Sequence, residues 1–482
     1  MNPYLPEYEY VPDGEPHVFG NRVYLYGSHD RFNGERFCMN DYVCYSADVD
    51  NLGDWRYEGV IYQKTQDPRM TKGDRELWAP DVVRGKDGRY YLYYCPDSDG
   101  QCIGVAVCDS PAGKYSFYGI VQDRNGDYLG RRTQDTDPFD PGVFMDDDGT
   151  VYLYSGNGPL FKELPPQFAH LMQESRPKAC VVMTLEDDML TLKTEPVQLI
   201  PHIKQADGTG FEEHPFFEAS SVRKINGRYY LVYSSNKMHE LCYAVSEFPD
   251  RGFRFGGVII SNVDVHPEDA RKQAKNRIGN NHGGIECMNG KYYIFYHRQT
   301  NNHGNSRQGC AERINISEDG SIRQVEMTSN GLTAEPFKEK GTYPASLACH
   351  LYRTDVCTDS VLEQMKYEFP YLTQDGPDYS PQEGGMPPRQ YIANMQNHGA
   401  AMFRYFDLSL IKNIEVVIRG TAVGMLYVRN GAEGEQLAEI PVEACQDWKI
   451  CSAPVNHSES LHSLFFCYEG EGTLELLEFI LQ

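Results

Sequence analysis

One short unit recurs five times in this chain, and it constrains the fold more than any other feature. Around residues 216–235 it reads FFEASSVRKINGRYYLVYSS. Two runs rich in β-branched and aromatic residues flank Asn226-Gly227, a two-residue hairpin signal. The other copies are DGEPHVFGNRVYLYGSHD from Asp13, PDVVRGKDGRYYLYYC from Pro80, DPGVFMDDDGTVYLYSG from Asp140 and HGGIECMNGKYYIFYHR from His282. Aligned on Tyr24, Tyr91, Tyr152, Tyr230 and Tyr293, they repeat roughly every 60 to 80 residues, which suits a β-propeller blade better than a helical solenoid. Ten to twelve residues ahead of each tyrosine stands Asp13, Asp81, Asp140, Glu218 or His282. Equivalent positions in a propeller lie at equivalent radii, so these side chains are expected around one central funnel.

Each hairpin is followed by a further strand pattern: YVCYSA, CIGVAVCDS, ACVVMTL, LCYAVSE and GCAERI. With an outer strand added, this predicts four strands per blade, five times over. The third copy carries a long excursion, GPLFKELPPQFAHLMQESRPK, with helical apolar spacing in part, of a length that marks functional loops. Between the fourth and fifth copies, VHPEDARKQAKNRIGNN reads as a polar helical or irregular loop near the funnel mouth. In the fifth copy, NNHGNS reads as a loop. The repeat stops around residues 326–348. Beyond it, NIEVVIRG, GMLYVRN, LAEIPVE, SLHSLFFCYEG and TLELLEFIL are regularly spaced strands of a sandwich type, interrupted early by TQDGPDYSPQEGGMPPRQ. The expectation is all-β: a five-bladed β-propeller over 1–330 followed by an antiparallel β-sandwich over 345–482.

A formal charge of −24 argues against nucleic acid, whose phosphates need a basic face. No apolar run reaches the roughly 18 residues of a membrane helix, so no membrane partner is expected. The start, MNPYLPEYEYVPDGEP, lacks the basic and apolar regions of a signal peptide. Fourteen cysteines occur without a C-x-x-C pair, several inside apolar strand patterns. They read as reduced, buried thiols, and the location expected is cytoplasmic.

Taken together, YVPDGEPHVFGNRVYLYGSHD, LWAPDVV, FDPGVFMDDDGTVYLYSG, FFEASSVRKINGRYYLVYSS and NHGGIECMNGKYYIFYHR resemble glycoside hydrolase family 43 in that family's order, over most of residues 1–325. The usual Asp-Pro of the first motif is here Asp13-Gly14, with Glu15-Pro16 beside it. The tail is similar to a reduced family 6 carbohydrate-binding module, most visibly in DWKICSAPVN and LHSLFFCYEGEGTLELLEFIL. The resemblance implies a five-bladed propeller and an inverting hydrolase. It would release terminal α-L-arabinofuranosyl units, β-D-xylosyl units as well, from short xylan-derived oligosaccharides. The alternatives are a β-xylosidase proper or a non-catalytic sugar-binding propeller. A phosphorylase would want a basic phosphate cluster, and none is apparent among the inward motifs.

Inverting hydrolysis needs a protonated carboxyl for the leaving oxygen and an ionised one to activate water. Three catalytic residues are expected. Glu218, behind two phenylalanines, is the acid, because an apolar neighbourhood raises a carboxyl pKa. Asp13 is the base, and Asp140 corresponds to the family's third carboxylate, keeping the proton on Glu218. Turn and strand-start roles remain open for Asp13 and Asp140, with Asp135 and Asp137 as rivals of the latter. Asp81 reads as a strand-start cap. Substrate contacts are expected from His29, Asp30, Trp78, His282 and Arg307; core packing competes for Trp78 and a surface ion pair for Arg307. His282 would bind a sugar hydroxyl, hold a cation through water, or be structural. No cofactor is required; a structural calcium ion is left open, and zinc or a catalytic thiol is the lesser alternative for the cysteines.

Overall fold

The computed structural model describes every residue except 97–101, 164–175, 339, 383 and 457–460. The chain is all-β: among the described residues the only α-helix is the single turn Val361–Gln364. No helix among them is long and apolar enough to cross a membrane.

Each of the five sequence copies forms its own antiparallel sheet, in which neighbouring strands follow one another in the chain. The innermost strands are Glu15–Phe19, Asp81–Arg84, Gly142–Met145, Phe216–Ile225 and Ile285–Met288. Each touches the innermost strand of the next sheet, and the fifth touches the first. Backbone approach is close at these contacts. Gly14 pairs with Gly283 in a parallel bridge, and a Cβ on Gly142 of the third sheet would lie 2.1 Å from the Ser220 carbonyl oxygen of the fourth. The hairpin turns follow their sequence signals, with Asn226 at φ 51° and Gly227 at φ 79°, the left-handed pair a two-residue turn needs.

The fifth sheet departs from expectation in two ways. Its second strand, Lys291–Thr300, is joined to His303–Ile314 by Asn301-Asn302 alone, so most of NNHGNS is strand rather than loop. Both asparagines take left-handed φ, 51° and 52°, which lets them form the tight connection without glycine. The sheet also has three strands, not four, among the described residues. After Ile314 the chain turns at Ser317–Gly320 and crosses to the fourth sheet, where Val325 N–H donates to the Ile259 carbonyl. Of the long excursion in the third copy, residues 164–175 lie outside the described residues.

The remaining chain forms two sheets. One holds His350–Arg353, Gly399–Asp407, Leu461–Glu471, Val423–Asn430 and Gln436–Val442. The other holds Tyr371–Gln374, Gln390–Met395, Leu474–Leu481, Asn413–Gly420 and Cys445–Pro454, with Gly341–Pro344 on Leu474–Leu481. Alternate residues of both sheets, among them Phe403, Phe466, Leu426, Ile418 and Phe479, form one buried apolar cluster. A second cluster joins Tyr243, Ile294 and Tyr296 of the fourth and fifth sheets to Met402, Phe465 and Cys467, so the two parts of the chain meet through a packed interior.

Candidate active site

The repeat places a polar residue at the mouth of each innermost strand, and local backbone geometry aims the side chains. Asp13 and Asp140 sit at φ 56° and 42°, and Ala219, next to Glu218, at φ 69°. Left-handed conformations are uncommon outside glycine and concentrate where function demands a side-chain direction. Glu218 also lies between two register shifts in its strand pairing, and such bulges re-aim side chains at strand ends.

Asp13, Trp78, Asp140, Glu218, His282 and Arg307 line one pocket of about 440 Å³. Asp13 is the most tightly held. Ser28 Oγ donates to its Oδ2 at 2.5 Å, and Arg307 Nη1 to its Oδ1 at 2.9 Å. Its backbone N–H donates to His297 Nδ1 at 3.3 Å, while His297 Nε2 faces the Asn280 carbonyl at 2.8 Å; burial lowers the His297 pKa and keeps the ring neutral. Burial would raise the Asp13 pKa, but the Arg307 guanidinium, the His297 contact and the His282 charge together outweigh it and hold the carboxyl far below its usual range. Asp13 is therefore ionised.

Glu218 has the opposite environment. Burial, and then the nearby Asp140 charge, push its pKa up to about 8. Asp140 itself is raised by burial, with His282 opposing. His282 Nδ1 lies 3.5 Å from Asp140 Oδ2 and Nε2 3.9 Å from Glu15 Oε1. Burial would lower the histidine pKa, yet Asp140, with the charges of Asp13 and Glu15, outweighs it and brings the value to about 9. One pocket thus presents an ionised carboxylate and a protonated carboxyl, the division that acid–base hydrolysis of a glycosidic bond uses.

Two expected substrate contacts fall outside the pocket lining, His29 and Asp30. Asp30 accepts Arg307 Nε at 2.8 Å and Nη2 at 3.0 Å, and the Cys38 N–H at 2.8 Å. Its carboxylate is thus spent on fixing Arg307 and the loop beside it. His29 faces the Asp41 carbonyl at 2.9 Å and Glu9 at 3.5 Å. Arg307 is not at the surface either: it is 2 % exposed, bridging the two aspartates. Trp78 reaches the pocket while packing edge-on against Phe139 at 4.9 Å.

Two of the rivals are engaged elsewhere. Glu15 Oε2 accepts from Ser221 and Arg223, and Asp135 from Gly130 and Arg132. Asp81 links three sheets: its Oδ1 meets His17 Nε2 at 2.6 Å and its Oδ2 accepts the Val143 N–H at 2.7 Å. It also caps its own strand, through the Val82 N–H. Phe37, Cys38, Phe139, Met238 and Arg277 line the pocket without having been singled out in the sequence. Arg277 belongs to the polar stretch before the fifth copy, which is irregular rather than helical and does reach the pocket mouth. Ser28 and His297 each stand four residues after the aligned tyrosine of their hairpin, Tyr24 and Tyr293, a register that could have flagged both.

Two acid groups in opposite protonation states, facing one buried pocket on repeated β-sheets, make this chain a glycoside hydrolase. It belongs to the glycosyl hydrolases family 43, whose model matches residues 10–322. A "Xylosidase/arabinosidase" from Thermoclostridium stercorarium is 49 % identical over 485 residues, spanning 100 % of this chain and 98 % of the relative. A family 43 arabinoxylan arabinofuranohydrolase from Bacillus subtilis, solved with cellotetraose, shares the fold at a TM-score of 0.51 and 21 % identity, covering 100 % of this chain and 97 % of that one. The calcium-free β-xylosidase/α-arabinofuranosidase from a compost microbial metagenome, solved with xylotriose, aligns with a TM-score of 0.51 at 27 % identity, covering 67 % and 97 %.

Proposed function

We propose that this protein is an inverting exo-hydrolase that removes terminal α-L-arabinofuranosyl units, and β-D-xylosyl units, from short xylan-derived oligosaccharides. The architecture proposed is a five-bladed β-propeller over 1–330 and an antiparallel β-sandwich, similar to a carbohydrate-binding module, over 345–482. The succession of contacts among the five innermost strands supports the first part, and the core shared by the two last sheets supports the second.

The observation that carries the catalytic reading is the opposite protonation of Asp13 and Glu218 in one pocket. Glu218 donates its proton to the leaving oxygen. Asp13 accepts a proton from water, which attacks the anomeric carbon from the opposite face. Asp140 keeps the proton on Glu218 by charge, and His282, paired with Asp140, offsets that charge only in part. Arg307 holds Asp13 ionised and faces the sugar, and Trp78 offers an aromatic face to the ring. The names of the whole-chain relative and of the compost enzyme, both joining xylosidase and arabinosidase activity, support the substrate range.

This chemistry needs no cofactor. A structural cation such as calcium, held through water, fits beside His282 with the ring deprotonated, the ion's charge replacing that of the imidazolium. Glu15 Oε1 is buried without a hydrogen-bond partner, and it offers the oxygen donor calcium prefers. Fourteen free cysteines support a reducing compartment such as the cytoplasm.

The test is hydrolysis of nitrophenyl α-L-arabinofuranoside and β-D-xyloside, with and without phosphate and chelator, following the first-formed anomer by NMR. Release of sugar with inverted configuration, independent of phosphate, is expected. Retained configuration, a sugar phosphate, or undiminished turnover by both Asp13→Asn and Glu218→Gln would overturn it.

A further inference from the structure

Outside the pocket, the fourth sheet gathers three side chains of mixed donor type. Glu240 and Cys242 stand two residues apart on one strand, hence on the same face. His214, in the turn leading to Phe216–Ile225, lies against them. His214 Nδ1 is 2.8 Å from Glu240 Oε2, Cys242 Sγ is 3.8 Å from the same oxygen, and Cys242 Sγ is 3.9 Å from His214 Nδ1. These ligand atoms all lie within 4.8 Å of one another. A tetrahedral zinc ion with bonds of about 2.0–2.3 Å sets its donor atoms roughly 3.3–3.8 Å apart, so sub-ångström shifts would close the triad on a metal.

The surroundings suit such a site. Glu240 and Cys242 are buried, and His214 keeps one edge open, at 17 % side-chain exposure. Phe255 stacks on the imidazole at 4.8 Å and sets the plane of the ring, while Tyr233 Oη donates to the His214 carbonyl at 2.7 Å and holds the turn. Ser235 Oγ, donating to Glu240 at 2.9 Å, steadies the carboxylate. The nearest competing cation is the Lys237 ammonium, 3.4 Å from Glu240 Oε1 and 40 % exposed, so it can swing out to water.

We propose that His214, Glu240 and Cys242 form a binding site for a soft divalent cation of the zinc class, separate from the catalytic pocket. On binding, the Cys242 thiol proton leaves to solvent and the thiolate, Glu240 carboxylate and His214 Nδ1 each form a bond to the metal. The histidine proton then resides on Nε2, and water fills the fourth position. The turn between Ser235 and Glu240 carries Met238, which lines the catalytic pocket, so occupancy stiffens one wall of that pocket.

The test uses the full chain carrying Cys357→Ser, which removes the exposed thiol, stripped with chelator and titrated with Co²⁺ and then Zn²⁺. One equivalent of Co²⁺ is expected to give the visible bands of a four-coordinate ion and a near-ultraviolet thiolate-to-cobalt band, both abolished by Zn²⁺. Cys242→Ser should remove the thiolate band, and His214→Gln should weaken Zn²⁺ binding about tenfold or more. Absence of the bands, or unchanged bands in Cys242→Ser, overturns the assignment. Because His214→Gln and Cys242→Ser perturb the sheet differently, agreement between them separates lost ligation from lost folding.

Discussion

Arg307 Nη1 reaches Asp13 Oδ1 across 2.9 Å, joining residues 294 positions apart. The same guanidinium grips Asp30 through Nε and Nη2, so one cation is shared by two buried carboxylates. Arg307→Ala strands both charges, and breaking a buried pair costs about 3–5 kcal/mol. A clear drop in the midpoint of thermal unfolding is expected. The pH dependence has a definite sign. A carboxyl whose folded pKa is depressed contributes stability above its unfolded pKa and loses it as pH falls through the folded value. Without Arg307 the Asp13 pKa rises, so the acid limb of kcat/KM moves to higher pH, which a pH–rate profile reads directly.

Removing Glu218 separates two of its effects. Glu218→Gln lowers kcat about 100- to 10,000-fold on a glycoside with a poor leaving group, and less on an activated aryl glycoside, whose oxygen leaves with little protonation. Stability moves the other way. With a folded pKa of about 8 against a lower unfolded one, the native state binds more protons, so wild-type stability falls as pH rises through that window. The glutamine variant lacks this loss. Its melting midpoint should exceed that of wild type by a few degrees at pH 8 and match it near pH 4, a comparison calorimetry can make.

Asp140→Asn takes away the charge that, after burial, does most to raise the Glu218 pKa. The basic limb of kcat/KM should shift to lower pH, with kcat reduced as well. An unchanged basic limb would sink the role given to Asp140.

The second part of the chain touches the pocket indirectly. Asp378 Oδ1 accepts the Phe32 N–H at 2.8 Å and Oδ2 the Asn40 side-chain amide at 3.2 Å. The loop between those residues carries Phe37 and Cys38 into the pocket lining. Asp378→Ala should loosen that wall and raise KM about tenfold, equivalent to roughly 1.4 kcal/mol, with kcat within about twofold. Steady-state kinetics on the nitrophenyl substrates decides this, and a fall confined to kcat would contradict it.

How much of this could be read from the sequence follows from the range of the interactions. The hairpins were legible because Asn226-Gly227 encodes its turn locally, and the inward register followed from their repetition. Asp30 and His29 misled, because their engagement by Arg307, Glu9 and Asp41 depends on chain far away or around a bend. Phe37 and Cys38 sit in a loop without periodicity, and the lack of a fourth strand in the fifth sheet among the described residues reflects where the chain goes next rather than any local propensity. Of the candidate site, the positions of the three carboxylates were visible, whereas the partners that set their charge states were not.

The Gly14–Gly283 bridge bears on biosynthesis. The opening residues of the first sheet must wait, through the translation of some 270 further residues, for the backbone that completes their surroundings. A ribosome-bound chain would thus display four finished sheets and an unclosed seam, and the pocket would come into existence only as the fifth sheet emerges.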